Sequence, residues 1–265
     1  MLAASARWFK DILFPVSCVD CGVEGEWWCK LCRAKHQNEC ALWPADAHLD
    51  RGASFFVYEE NGPVGRLIKQ FKYGFAKDIK NVFEKIISEK KGFLRSLCSV
   101  GTIISVAGSI VPDLVGAVEP ICWSVLPVPL HPRRERERGF NQAKVLAKIF
   151  LDSLNTPPCI PPPETSSGQA LKGEGLTQNP PPIRGRIEEG VLVRTRYTPH
   201  QARLSKEERT QNVAGAFAWK GPAPAPAYVL LVDDVYTTGA TMQECARVLK
   251  AAGAQKIYWL TLARG

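Results

Sequence analysis

The sequence lacks an unbroken apolar run of about 20 residues, the length that a membrane-spanning helix needs. Its most apolar stretch, Val100–Val118, is interrupted by a serine, a proline and an aspartate, a pattern typical of a buried core segment. An early apolar run is also lacking, since Arg7, Lys10 and Asp11 follow soon after the first residue. A secretory signal is therefore not expected, and the cytoplasm is the expected location.

The chain also has fewer acidic than basic side chains. It contains 26 Asp and Glu against 34 Lys and Arg, a formal net charge of +8. A positive excess suits an anionic partner such as a sugar phosphate, a nucleotide or a nucleic-acid backbone. The same excess is compatible with plain solubility, so charge alone does not choose among these possibilities.

The chain contains nine cysteines, and four of them form two Cys-x2-Cys pairs. Cys18 pairs with Cys21 and Cys29 with Cys32, and two such turns provide four thiolates for one tetrahedral Zn²⁺. A region of about 40 residues cannot bury much core, so the bound metal ion would supply folding energy there. Disulfides between these cysteines would need an oxidising compartment. A catalytic redox pair usually has a single Cys-x2-Cys motif beside a strand–helix unit, whereas this chain has two in tandem. Both remain alternatives, and Cys40 is a further candidate ligand or a free thiol.

Apolar segments and helical stripes alternate along the rest of the chain. β-branched and apolar runs predict strands at 53–58, 123–130, 191–196, 228–232 and 256–262. Apolar residues at helical spacing predict helices at 66–73, 78–97, 141–154 and 242–249, and 204–211 is expected to be a loop or short helix. This alternation predicts an α/β domain with a largely parallel sheet.

Two domains are expected, a zinc-binding module at 1–48 and an α/β domain at 49–265. The segment at about 155–186 contains TPPCIPPPET and NPPP and shows no periodicity. It predicts a mobile insertion within the second domain, extended around its prolines.

The segment VLLVDDVYTTGATM, residues 229–242, is the strongest indication of a binding site. Its apolar residues predict a strand, and Asp233 and Asp234 then lie at the carboxyl end, where ligands bind in open α/β sheets. The loop 237–241 leads into a helix, and the backbone N–H groups at a helix N-terminus bind phosphate. Gly239 lacks the Cβ that would block the approach of a phosphate.

Two carboxylates would repel a phosphate, so Asp233 and Asp234 need other partners. The 2′- and 3′-hydroxyls of a ribose and a hydrated Mg²⁺ are suitable. A βα turn with an acidic end is common, but a double acid followed by Thr-Thr-Gly-Ala-Thr is not. The motif therefore predicts a ribose 5-phosphate site made by Asp233, Asp234, Val235, Tyr236, Thr237, Thr238, Gly239, Ala240 and Thr241.

This segment resembles the phosphoribosyl pyrophosphate signature of type I phosphoribosyltransferases, and the wider sequence resembles the ComF family. The matching segments are ILFPVSCVDCG with CKLC at 12–32, Tyr58 with RLIKQFKYG at 66–74, PVPLHPRRERERGFNQA at 127–143, QARLSKEERTQNVAGAF at 201–217 and the 229–242 signature. The resemblance implies a type I phosphoribosyltransferase fold, with a parallel-sheet core flanked by helices and a small N-terminal four-cysteine zinc module. The proline-rich segment departs from the family pattern.

The resemblance also implies roles for two further segments. HPRRERERGFNQ, residues 131–142, takes the place of a pyrophosphate-binding loop, since guanidinium groups bind phosphate oxygens in pairs. Residues 194–209 take the place of a flexible hood that closes over such sites. The candidate side chains are Arg134, Arg138, Asn141, Arg196, Thr198, Gln201 and Arg209. A solvated charge run and an ordinary polar loop are the alternatives, and Lys72 either reaches the site or is an exposed helix end.

Three functions remain open. A phosphoribosyltransferase would transfer ribose 5-phosphate with Mg²⁺ and release pyrophosphate, although the sequence indicates no acceptor. The ComF family is associated with DNA uptake and natural transformation, which implies a nucleic-acid-binding or helicase-binding module with single-stranded DNA and a DNA helicase as partners. A regulator that binds phosphoribosyl pyrophosphate or a nucleotide without turnover is the third, in DNA uptake or nucleotide-linked metabolism. The presence of Asp233 and Asp234 argues against full loss of activity.

Overall fold

The computed structural model describes residues 16–36, 39–73, 78–99, 122–154, 184–198 and 205–265. The first elements in these ranges are α1 (Lys30–Ala34), β1 (Ala41–Trp43), β2 (Arg51–Val57), α2 (Pro63–Tyr73), α3 (Ile79–Glu89) and α4 (Lys91–Ser99). The middle elements are β3 (Cys122–Pro127), α5 (Pro132–Arg138), α6 (Gln142–Leu154), β4 (Arg184–Ile187) and β5 (Leu192–Arg194). The last are α7 (Lys206–Val213), β6 (Phe217–Trp219), β7 (Tyr228–Tyr236), α8 (Ala240–Ala251) and β8 (Lys256–Arg264).

Six of the strands form one sheet in the order β1-β2-β8-β7-β3-β4. All of its neighbouring strands are parallel except β1, which pairs antiparallel with β2. β5 and β6 form a separate antiparallel pair. The expected α/β architecture with a largely parallel sheet is confirmed.

The apolar run of β7 follows from burial on both faces of the sheet. Leu230 and Val232 pack in a core with α2, α3 and α6, whereas Val229 and Leu231 pack in a second core with α8. A strand covered on both sides needs apolar side chains at successive positions. Cys245 of α8 is fully buried in the second core.

β7 is longer than the apolar run predicts, because it continues through the acidic pair to Tyr236. Asp233 lies opposite Thr261 of β8, and Val235 lies opposite Ala263. The backbone ladder to β8 thus extends the strand beyond the point where apolar side chains end. Asp233 and Asp234 are held by a rigid strand rather than by a loop.

The charged segment after β3, expected to be a loop, contains the short helix α5. The Nδ1 of His131 accepts a hydrogen bond from the backbone N–H of Arg133, and Pro132 occupies the start of the helix. Gly139 ends the helix in the left-handed conformation, with φ 78°. The loop expectation was wrong because this helix is defined by its end residues rather than by an apolar stripe.

Two other expected boundaries change. The helical stripe at 78–97 is divided into α3 and α4 at Lys90. Residues 184–186, expected within the proline-rich insertion, belong to β4, which pairs with β3 at the edge of the sheet. The rest of the insertion, 155–183, and the apolar stretch Val100–Val118 lie outside the described residues.

The four-cysteine region packs on the α/β core. Trp28 is buried in the same cluster as Phe56 of β2, with ring centroids 5.4 Å apart. β1, which lies before the expected boundary at residue 48, pairs with β2 in the main sheet. Residues 1–15 lie outside the described residues. Among the helices of the described ranges, none has both the length and the apolar character to cross a membrane.

Candidate functional site

A cleft of about 290 Å³ opens at the carboxyl ends of β3 and β7. Parallel strands end at the same edge of a sheet, and the loops that follow them surround this edge. The cleft is lined by Asp233, Asp234, the whole of 235–241, and Arg134, Arg138 and Arg209. Residues from three separate segments of the sequence therefore meet at one place.

The two carboxylates of the acidic pair have different surroundings. Asp234 forms an ion pair with Lys72 at the end of α2. Burial acts to raise the pKa of Asp234, but the charge and hydrogen bond of Lys72 outweigh it and hold that pKa below its usual value. Burial raises the pKa of Asp233 well above its usual value, and the neighbouring Asp234 raises it further. The free site thus favours one ionised carboxylate, with Lys72 as its counter-ion.

The position of Lys72 follows from the amphipathic pattern of α2. Val64, Leu67, Ile68 and Phe71 recur at helical spacing and are buried against the core. Packing of this face fixes the last turn of the helix over β7. Lys72 is consequently directed to the cleft instead of being an exposed helix end.

The loop after β7 requires a glycine at position 239. Gly239 has φ 77°, and a Cβ placed there would lie 2.2 Å from the hydroxyl oxygen of Tyr236. Its carbonyl accepts a hydrogen bond of 2.8 Å from the backbone N–H of Gln243, and this bond is the first of the backbone hydrogen bonds of α8. Within the described part of the chain, the backbone N–H groups of Thr238 and Gly239 donate to no protein acceptor. They are available to an anion at the positive end of the helix.

The arginines of the cleft are held by polar contacts. Arg134 donates to the carbonyl oxygen of Thr198 at 2.9 Å, and Arg209 to the hydroxyl of Thr237 at 3.4 Å. Arg138 donates to Gln142 at 3.1 Å and to the hydroxyl of Tyr73 at 3.0 Å. These contacts hold the three guanidinium groups in the walls of the cleft that the acidic pair also lines.

The four cysteines of the N-terminal pairs form a cluster in which all Sγ atoms lie within 4.8 Å of one another. A tetrahedral Zn²⁺ with Zn–S bonds of about 2.3 Å needs S···S distances of about 3.8 Å, and Cys21 Sγ lies 3.8 Å from Cys29 Sγ. Burial opposes ionisation of Cys18, but backbone N–H groups of Cys21 and Cys29 lower its pKa to about 6, whereas burial raises the pKa of Cys32. The spacing of the four Sγ atoms fits one metal ion.

Cys40 does not belong to this cluster. Its Sγ accepts a hydrogen bond of 3.2 Å from Lys90 Nζ. Among the described residues, the group of potential metal ligands contains the four paired cysteines and not Cys40.

The sequence of the chain is similar to those of several named proteins. It is 29% identical over 143 residues to Competence protein F of Haemophilus influenzae, an alignment covering 53% of this chain and 50% of that protein. It is 28% identical over 140 residues to DNA utilization protein YhgH of Escherichia coli K12, covering 53% and 48%. The resemblance to the ComF family is confirmed. The chain spans about half the length of these two relatives.

A third relative of this ComF-like chain carries an enzyme name. Amidophosphoribosyltransferase of Pasteurella multocida is 34% identical over 127 residues, which cover 47% of this chain and 24% of that protein. No family model matches the chain.

Three of the residues predicted for pyrophosphate or the hood have partners within the protein. Asn141 is buried, donates to the carbonyl oxygen of Val128 and accepts from the backbone N–H of Ala143 at the start of α6. Arg196 donates to the backbone carbonyls at 212 and 214. Thr198 is buried, and its two oxygen atoms accept from Arg134 and Arg194. Gln201 lies outside the described residues. The roles assigned to these three residues and to Gln201 stay predictions.

The cleft also contains residues that were not among the named candidates. They are Tyr73, Gln142 at the end of the predicted pyrophosphate segment, and Arg194 at the start of the predicted hood. Arg194 shares the buried face of β5 with Leu192. The alternation of buried and partly exposed residues along this strand was therefore the one indication in the sequence that Arg194 is buried. A cation on an otherwise apolar strand face is unusual, because charged side chains are seldom buried without a partner.

Proposed function

We propose that this ComF-like chain binds phosphoribosyl pyrophosphate, or a nucleotide, together with Mg²⁺ in the cleft at the end of β7. The proposal depends on one observation: the acidic pair and the glycine loop line the same cleft. A phosphorylated ribose has a diol near one end and a phosphate at the other. Asp233 and Asp234 are suited to the diol, and the loop 237–241 to the phosphate.

Magnesium is needed for electrostatic reasons. A pyrophosphate ester brings several negative charges to a place that already contains Asp233 and Asp234. Carboxylates and phosphate oxygens are the ligands that Mg²⁺ prefers, and the cation turns their mutual repulsion into attraction. Lys72 neutralises Asp234 in the free protein, so the metal would compete with it for that carboxylate.

Transfer of the phosphoribosyl group is the activity that this arrangement supports best. Arg134, Arg138 and Arg209 would bind the departing pyrophosphate, and closure of the 194–209 segment would exclude water from the reacting carbon. The acceptor is not assigned. Similarity to a competence protein and a DNA utilization protein supports a role in DNA uptake or nucleotide-linked metabolism.

For the four-cysteine cluster we propose a structural Zn²⁺. A closed set of four thiolates leaves no position for a substrate, which is typical of structural rather than catalytic zinc. The packing of Trp28 on Phe56 means that the ion would stabilise a region that is part of the main core.

Calorimetric titration with phosphoribosyl pyrophosphate tests the proposed binding. Tight binding is expected with Mg²⁺ and at least tenfold weaker binding with a chelator present. The double variant Asp233→Asn with Asp234→Asn should lose most of the Mg²⁺-dependent affinity, whereas Asp152→Asn, an exposed change of the same kind on α6, should bind as the parent does. Equal affinity with and without Mg²⁺, or unchanged binding by the double variant, would contradict the proposal.

A second candidate function, single-stranded nucleic-acid binding, is favoured by the surroundings of α5. The ring of Tyr73 lies 5.1 Å from the guanidinium of Arg138, and the ring of Tyr197 lies 5.0 Å from that of Arg133. Both tyrosines are exposed. Aromatic rings combined with arginines are what non-specific single-strand binding uses.

Fluorescence anisotropy with a labelled single strand tests this second candidate. Binding should be independent of base sequence, fall steeply with salt, and weaken in Tyr197→Ala. Absence of binding at low salt would leave the alternative that the chain acts through a helicase partner.

A further inference from the structure

Arg194 is a buried arginine in the wall of the cleft. It ends β5, its side chain lies over the ring of Phe217 at 5.1 Å, and only 8% of its surface is exposed. It lines the cleft together with Asp233 and Arg134. Arginine keeps its charge in proteins, so a full positive charge is placed where water has little access.

The hydrogen bonds of Arg194 within the protein are incomplete. One Nη donates to the hydroxyl of Thr198, but the Nε is buried and has no partner among the described residues. No carboxylate oxygen of the described ranges lies within 4.0 Å of the guanidinium. A buried donor without an acceptor is costly, and a buried charge without a counter-ion more so.

A second arginine increases this cost. Arg134 donates to the carbonyl of Thr198, the same residue whose hydroxyl accepts from Arg194. Thr198 thus holds two guanidinium groups near each other. Burial lowers the pKa of Arg194, and the positive charge of Arg134 lowers it further. Packing alone does not explain why two like charges are kept together at the wall of a cleft.

We propose that Arg194, together with Arg134, binds a phosphate group of the ligand. A phosphate oxygen in the cleft would accept from the guanidinium group of Arg194 and place a negative charge beside it, and guanidinium groups bind such oxygens in a forked, bidentate manner. This inference rests on the proposed function and adds to it a binding residue that lies outside the 229–242 motif. The phosphate belongs either to the 5-position of the ribose or to the pyrophosphate.

Titrations with three probes distinguish these two sources. Ribose 5-phosphate, inorganic pyrophosphate and phosphoribosyl pyrophosphate are each titrated with Mg²⁺ into the parent, Arg194→Met, Arg194→Lys and Arg186→Met. Methionine keeps the packing over Phe217 but has no donor and no charge. Arg186 is a matched control because it is exposed on β4 and paired with Glu188, so its replacement changes net charge equally.

Arg194→Met is expected to weaken phosphoribosyl pyrophosphate by about tenfold or more, the usual effect of losing a hydrogen bond to a charged group. One of the two partial probes should weaken to the same extent and the other remain unchanged, which identifies the phosphate. Arg194→Lys should recover part of the affinity, and Arg186→Met should match the parent. Without ligand, the Tm of Arg194→Met should differ little from that of the parent, because Arg194 has no carboxylate partner to lose among the described residues of the ligand-free protein.

Three outcomes would overturn the inference: unchanged affinity of Arg194→Met for all three probes, equal weakening for all three with a lower Tm, or a parent that binds none of them. The proposed function fails separately. If pyrophosphate and phosphoribosyl pyrophosphate both bind and depend on Arg194, but the Asp233 and Asp234 variant binds phosphoribosyl pyrophosphate as the parent does, the arginine site stands and the ribose assignment falls. If binding depends on the acidic pair and not on Arg194, only this inference falls.

Discussion

Replacing Lys72 by methionine removes the counter-ion of Asp234 while keeping most of the side-chain volume. The Lys72 side chain is 22% exposed and that of Asp234 10%, so the pair is mostly buried. Removing one partner of a buried ion pair costs about 3–5 kcal/mol, whereas an exposed pair contributes about 0–1 kcal/mol. For this partly exposed lysine we expect the free energy of unfolding to fall by about 2–3 kcal/mol.

Urea denaturation at neutral pH measures this loss, and a double-mutant cycle assigns it to the pair. Asp234→Asn in the Lys72→Met background removes the unpaired carboxylate and should recover most of the stability. Mg²⁺ should raise the Tm of Lys72→Met more than that of the parent, because the cation no longer competes with an ammonium group. A change below about 0.5 kcal/mol in Lys72→Met, or a coupling energy near zero in the cycle, would refute the argument that Lys72 neutralises the acidic pair.

Three further outcomes are expected. Gly239→Ala should destabilise the protein by about 1–3 kcal/mol in denaturation and weaken ligand binding, since its Cβ would meet the Tyr236 hydroxyl; an unchanged affinity would argue against the loop as the phosphate site. Removing metal with a chelator should lower the Tm of the whole chain in one transition, because Trp28 is part of the main core; a separate early transition would contradict this. Asp50→Asn should cost about 1.5–3 kcal/mol, since Asp50 accepts from two lysines and a backbone N–H. Burial acts to raise the pKa of Asp50, but these contacts outweigh it and hold that pKa below its usual value. The contribution of Asp50 is therefore present at neutral pH and is lost on acidification through the lowered pKa; a parent–variant difference that does not shrink in acid denaturation would contradict it.

The parts of the fold that depend on local pattern were predictable. β7 and α8 follow from an apolar run and from helical spacing. The glycine at 239, predicted to allow a phosphate to approach, is required in the structure by its positive φ and by the neighbouring Tyr236. α5 was not predicted as a helix because a segment of alternating arginine and glutamate has no apolar face. Pro132 and Gly139 at its two ends were the available indications, and they depend on capping rather than on periodicity.

The parts of the site that depend on tertiary contacts were not predictable from local pattern. Lys72 and Asp234 are separated by more than 160 positions in the chain, and only the packing of α2 on the sheet brings them together. The same holds for Arg194, which meets Arg134 through Thr198. A motif identifies one wall of a binding cleft, whereas the opposite wall comes from segments whose own sequences resemble ordinary surface.

The net charge of +8 could not distinguish a solvated surface from a binding site, whereas the structure shows that part of the positive charge is gathered in the cleft. Five basic side chains line it, namely Lys72, Arg134, Arg138, Arg194 and Arg209, against the three acidic side chains Glu60, Asp233 and Asp234. Basic groups gathered in a concave site of low dielectric constant produce a stronger field than the same groups spread over a surface. Because Asp233 already tends toward its neutral form, the positive excess in the free protein is larger than this comparison of residues indicates. This field suits the proposed ligand, which carries several negative charges, better than a neutral nucleoside. On the same proposal, Mg²⁺ is needed where that ligand meets the acidic pair.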